Sequence, residues 1–232
     1  MLRLVRLPGA PDETRSRRPA ARASSAAGAG RRNRRIRRRQ AGQGLVEFAL
    51  VIPLFLVSLI GILEFGMLYS ALNGINYASR DAALLAAELG NTDGGDCVII
   101  AKVESDVGAP ADPQQIQSIT IAWTDANGVT QVDGSGNPYS NLYTRGGSTT
   151  CSLPTGDVTV PYTRVTDNYP EPDRCNILAG CPAPHDGGLD TIAVQVIYQY
   201  TYKTPLATLL DWTGSTGWTL DKSNAMRMEP IL

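Results

Sequence analysis

The sequence predicts an α+β protein in which one long N-terminal transmembrane helix is followed by a small antiparallel-sheet extracytoplasmic domain with long loops. Three observations carry this reading: an apolar run of membrane length, an arginine-rich tail directly before it, and an alternating Val/Ile/Tyr segment near the C-terminus of a cysteine-containing region.

Charge divides the 232-residue chain unevenly. Residues 1–41 hold thirteen arginines against Asp12 and Glu13, a balance of +11, so the remaining eight basic and twenty acidic residues give −12, and together these make the net −1. The tail lacks apolar periodicity and is expected to be a disordered basic leader on the cytoplasmic side, since such composition cannot bury enough surface to fold alone. The run Arg31 to Arg39 stops just before the apolar segment, where basic residues fix orientation by the positive-inside rule. Nucleic acid is not an expected partner, because the tail has no aromatic side chain on which a base could stack.

From Gly44 to Leu63 the only charge is Glu47. Twenty residues rising about 1.5 Å each cover roughly 30 Å, the thickness of the hydrocarbon core, so a span over about residues 45–65 follows. The run exceeds the usual apolar core of a signal peptide. The helical pattern continues without proline after Pro53 to Leu89, giving one long helix over 43–89. Ser70, Gly74, Ala78, Ala82 and Ala86 recur every four residues along it, a small-residue row that lets another element approach, either the chain's own domain or another subunit.

The domain over 97–232 begins after the Gly90–Asp96 turn. Cys97 to Val107 reads as a helix and Gln117 to Thr124 as a strand, with Asp125–Gly128 turning into a hairpin partner at 129–132. Residues 133–190 are rich in Gly, Pro, Ser, Thr and Asp, which predicts long loops around a strand near 158–163. Residues 190–203 alternate with Ile192, Val194, Val196, Tyr198, Tyr200 and Tyr202 on one face, the strongest strand signal in the chain. A helical turn after Pro205 and a last strand within 218–228 complete the expectation.

Cys97, Cys151, Cys175 and Cys181 are disulfide candidates, for which three pairings are possible. Disulfides imply an oxidising compartment. The five-residue gap between Cys175 and Cys181 does not fit a zinc knuckle, and no metal or cofactor is expected. His185, the only histidine, is read as a solvent-facing turn residue, so no catalytic triad is expected and the chain is read as a non-enzyme. Asp133-Gly-Ser135-Gly-Asn137 resembles the start of a calcium loop, but Thr144 stands where that loop needs glutamate, so it reads as a plain turn.

Two stretches resemble one family. Gly42-Gln43-Gly-Leu-Val-Glu47-Phe48 is similar to a type IVb prepilin junction, and VIYQYTYKTPL (196–206) with NAMRMEP (224–230) resembles the end of the TadE-like proteins of tight-adherence (Flp-type) pili. EFALVIPLF at 47–55 and Ala-Ser-Arg-Asp-Ala-Ala at 78–83 add to the likeness. The resemblance implies a pilin-like minor subunit or pseudopilin, processed by a prepilin peptidase between Gly42 and Gln43, with partners among pilin and pilus-assembly proteins and homo- or hetero-oligomers formed through the N-terminal helix. It marks Glu47, Phe48 and Pro53 as the assembly and membrane residues. The Asp-x-Ser-x-Ser signature of the metal-dependent domain in related TadG-like proteins does not occur in this sequence.

The physical reading of Glu47 agrees with that role. A carboxylate in a membrane helix costs about 2.5 kcal/mol or more. Cleavage would make Gln43 an N-terminal amine, and opposite unit charges ~4 Å apart attract by about 4 kcal/mol at an effective dielectric near 20, which exceeds the cost. Snorkelling to the cytoplasmic interface is the other way to accommodate it. Glu64, at the far end of the run, reads as an interfacial residue without chemistry. The rival functional reading is a non-pilus cell-surface binding or adhesion module on the same single anchor.

Overall fold

The computed structural model describes residues 29–178, 181, 185, 188–205 and 217–229, the backbone alone for 29–41. Two units divide the chain, Met1–Leu54 and Phe55–Leu232. Helix α1 (Ala29–Leu89) begins in the first and ends in the second. It starts well before the expected residue 43, so the disordered leader is corrected over 29–41, where arginine and alanine, both good helix formers, dominate and no proline intervenes. The leader's residues 1–28 lie outside the described residues.

In the first unit the helix bears Leu45, Phe48, Leu50 and Leu54, all largely exposed. In the second, Gly90 at φ 58° ends α1, the left-handed conformation that glycine tolerates. Helix α2 (Gly95–Asp106) follows, two residues earlier than expected, and Lys102 forms ion pairs with Asp81 of α1 and with Asp106 within α2, the latter at 2.9 Å.

Five strands form one sheet: β1 (Ile116–Thr124), β2 (Ser140–Leu153), β3 (Gly156–Asp167), β4 (Thr191–Thr201) and β5 (Gly217–Arg227). Their order is β3-β2-β1-β4-β5, and every neighbouring pair is antiparallel. The architecture is therefore α+β, a long apolar helix followed by a small antiparallel sheet.

Two expectations are corrected. Residues 129–132 make only isolated bridges, Thr124 with Thr130 and Val132 with Pro138, and the long partner of β1 is β2. The region read as loops contains the β2–β3 hairpin, with a register shift between Arg145 and Thr149 where Gly146 and Gly147 take φ 107° and 101°. Glycine and threonine at 146–150 resemble loop composition, yet the glycines supply a bulge and the threonines pair across it. The turn expected after Pro205 falls on residues outside those described.

The core lies between one face of α1 and the sheet. Ala71, Ile75, Ala78, Ala82, Ala83 and Ala86 are buried on the helix, and Ile192, Val194, Val196, Tyr198 and Tyr200 are buried on β4. Small helix residues facing large strand residues let the two backbones come close. Ser79 Oγ donates to Val194 O at 2.6 Å, and Glu229 N donates to Ala87 O at 3.2 Å.

Candidate functional site

The residues singled out at the helix start are exposed. Gly42 and Gln43 occupy helical backbone, and the Gln43 side-chain amide donates to Glu47 Oε1 at 3.1 Å, one turn away. Phe48 is 64% exposed, and α1 runs through Pro53. Leu45, Phe48, Leu50, Phe55, Leu59 and Ile62 are all exposed, so the apolar surface here is not confined to one face of the helix. Among the described residues one helix is long and apolar enough to cross a membrane, and its apolar window is unburied. A helix apolar all round and left uncovered suits lipid, and the chain is a single-pass membrane protein.

The small-residue row divides. Ala78, Ala82 and Ala86 are buried in the second unit, whereas Ser70 is exposed and a Cβ built on Gly74 would meet nothing within 4 Å. The chain's own sheet and α2 thus take up the outer part of the row.

Glu64 marks where burial starts. Only 3% exposed, it accepts hydrogen bonds from Tyr200 Oη at 2.6 Å, Lys203 N at 3.0 Å and Thr204 N at 2.8 Å. Three donors from the end of β4 therefore satisfy one carboxylate of α1, which lets it be buried at modest cost. Read from the sequence as an interfacial residue without chemistry, Glu64 has in addition this structural contact with the sheet. The signal available in the sequence was its position immediately after the apolar run.

The order along α1 is thus exposed helical backbone at Gly42 and Gln43, a largely exposed apolar segment, then the Glu64 clamp and a buried alanine face. Residues 42–84 match the TadE-like protein family. No curated protein and no solved structure matches the chain. The TadE-like segment takes in the junction, the apolar run, the clamp at Glu64 and the packing face through Ala83. It ends before Ala86 and does not reach 196–206 or 224–230, of which 196–205 and 224–229 lie on and just beyond β4 and β5. The match supports a pilin-like component associated with Tad pili.

Beyond the TadE-like segment, two disulfides close the domain. Cys97 of α2 joins Cys151 of β2, and Cys175 joins Cys181. Gly94, at φ 76°, precedes the first of these; a Cβ there would come within 3.1 Å of Ser152 O and 3.2 Å of Cys151 Cβ, so glycine allows the hairpin to close on the start of α2.

A buried polar network that the sequence did not announce lies beside this disulfide. Asp96 Oδ1 pairs with Arg174 Nη2 at 2.5 Å, and its Oδ2 accepts from Asn141 Nδ2 at 2.8 Å and Tyr143 Oη at 2.9 Å. Burial, with the Asp96 charge adding to it, pushes the Tyr143 phenol well above its ordinary range. Burial does the same to Tyr169, whose hydroxyl donates to Asp190 Oδ2 at 2.7 Å.

His185 is corrected from a solvent-facing position: it is 6% exposed, its Nδ1 lies 2.7 Å from Asp190 Oδ1, and its ring lies 4.5 Å from that of Trp123. The carboxylate satisfies one ring nitrogen and the indole covers the face, which together make burial tolerable in a loop of turn formers. Asp190 uses its other oxygen on Tyr169 and on Cys175 N at 2.9 Å, so the group ties together the segment around the second disulfide.

Asp125 and Asp133 are turn residues. Asp133 Oδ1 accepts from Ser135 N and Asn137 N, both at 2.8 Å, and Oδ2 from Asn137 Nδ2 at 2.9 Å; Asp125 repeats the pattern with Asn127 and Val129. Hydrogen bonds from the Asn137 side chain and from backbone N–H groups hold the Asp133 carboxyl below its ordinary range. Among the described residues, no group of three or more His, Cys, Asp and Glu side chains is arranged to hold a metal ion.

Proposed function

We propose that this protein is a TadE-like minor pilin or pseudopilin of a tight-adherence pilus, anchored by α1 with its basic N-terminus in the cytoplasm and its disulfide-bonded sheet outside. The observation that carries the reading is the coincidence of the TadE-like match with an uncovered apolar helix whose outer part docks on a sheet from Glu64 onward. The arginine run before Gln40 supports the orientation, since positive charge is retained on the cytoplasmic side. Both disulfides support an oxidising compartment for the domain.

In this role the chain is a substrate of a prepilin peptidase and a contact partner of pilin and assembly proteins, with no chemistry of its own. The exposed helical site at Gly42 and Gln43 is open to the peptidase. Cleavage exchanges the Gln43–Glu47 side-chain contact for an amine one turn from the carboxylate, so that Glu47 can pair within the chain or with a neighbouring subunit.

Mass spectrometry of the mature protein tests this: a chain beginning at Gln43 is expected in cells with an active peptidase, and an intact leader there rejects processing. Pili and adherence that are unchanged on deleting the gene would favour the non-pilus binding module instead.

A further inference from the structure

We infer that the β4–β5 end of the sheet is a membrane-contact surface, resting through Trp218, Tyr202 and Lys203 on the lipid headgroup layer where α1 leaves the bilayer. The inference rests on α1 being the membrane span, and it adds a second, independent contact between the protein and lipid.

Register settles which end of the sheet is involved. Tyr200 of β4 pairs with Trp218 of β5, and Tyr200 Oη holds Glu64, the first buried residue after the apolar run. Lys203 N and Thr204 N hold the same carboxylate, so the chain leaving β4 is fixed beside Leu63 and Phe65, which are 55% and 68% exposed. Ile192 with Met226 lies eight ladder steps away, roughly 27 Å along the strands. The 125–139 connection joins β1 to β2 at that remote end, because Thr124 pairs with Thr191.

The side chains at the near end have interfacial chemistry. Trp218 is 57% exposed, and its Nε1 donates to Tyr202 Oη at 2.9 Å, which leaves the indole ring outward and its one polar group satisfied. Phe65 and, one turn further along α1, Tyr69, 59% exposed, are exposed aromatic side chains on the helix just beyond the apolar run. Lys203 is exposed, and its Nζ makes only a long contact of 3.5 Å to Gln115 Oε1, so the ammonium at the end of its four-carbon stem can turn to phosphate. Tryptophan and tyrosine concentrate at the headgroup level of membranes because a ring and a polar edge suit that layer, and a lysine beside them suits anionic lipid. Lipid is the occupant favoured over a protein because these side chains continue an uncovered apolar helix surface that already requires lipid.

The test uses the full-length protein in vesicles of phosphatidylcholine and phosphatidylglycerol that carry a phospholipid with a headgroup-level diazirine. After photolysis, peptide mass spectrometry is expected to find lipid adducts at 202–203 and 217–218, and none at 125–139. Adducts on 45–63 without any at 202–218 would overturn the inference while leaving the span intact, and would point to an occupant other than lipid. An absence of adducts on 45–63 as well would overturn the span and the inference together. As a second measurement, Trp218 left as the single tryptophan by W123F and W212F is expected to lose emission in brominated lipid, whereas Trp123 left alone by W212F and W218F is expected to keep it; unquenched Trp218 overturns the inference.

Discussion

The Glu64 carboxylate receives the Tyr200 hydroxyl at 2.6 Å, joining the C-terminal end of the apolar run to the last buried residue of strand β4. Hydrogen bonds to a charged group contribute about 1.5–3 kcal/mol each, so Tyr200→Phe is expected to lower stability by an amount in that range. Glu64→Leu should cost more, because it strands Lys203 N and Thr204 N as well. Denaturant unfolding in detergent, followed by tryptophan emission, measures both.

Asp96 and Arg174 are an ion pair with side chains 0% and 1% exposed. Removing one member leaves a buried charge alone, and Arg174→Met is expected to cost about 3–5 kcal/mol. Asp96→Asn in the same chain should recover part of that loss, since the uncompensated charge disappears. A double-mutant cycle that gives no coupling would show that the pair does not act as a unit.

The disulfides should differ in weight. Cys97 and Cys151 are 54 residues apart and Cys175 and Cys181 six, so loop-closure entropy gives about 4 kcal/mol for the first and about 2 kcal/mol for the second. Paired Cys→Ser substitutions of each, compared by urea unfolding, check the order.

Two substitutions in the small-residue row are expected to move stability in opposite directions. Ala82 is fully buried, and Ala82→Leu should cost about 1–3 kcal/mol by overpacking. At Gly74 a Cβ would meet nothing, so Gly74→Ala should gain about 0.5–1 kcal/mol from helix propensity. If Gly74→Leu leaves the isolated protein stable but lowers its incorporation into assemblies, then that part of the row faces another subunit.

Alkaline pH should weaken the domain in a defined window. Burial raises the phenols of Tyr143, Tyr162 and Tyr169 above their ordinary value near 10. The neutral form is thereby favoured in the folded state, so stability is intact below about pH 10 and declines as pH rises from there toward the folded-state values. Tyrosinate absorbance should show these groups ionising only together with loss of the near-ultraviolet dichroism signal.

Periodicity made the regular parts of this fold legible. Residues 190–203 announced β4 because six apolar or aromatic side chains alternate there, and α1 was visible because its apolar run and alanines continue for so many turns. The β2–β3 hairpin was hidden because its strands carry glycine and threonine in place of an apolar alternation, and its stability comes from pairing and from the Cys97–Cys151 bridge. His185 was misjudged for a related reason: its neighbours in sequence are turn formers, while the groups that bury it, Trp123 and Asp190, become neighbours only on folding. The apolar run could be read as a string, but the partners of Glu64 lie 136 and more residues away.

Because the carboxylate that begins the docked part of α1 directly follows the last residue of the apolar run, no free linker lies between them. A displacement of the sheet is therefore passed to the end of that run without the slack of a tether.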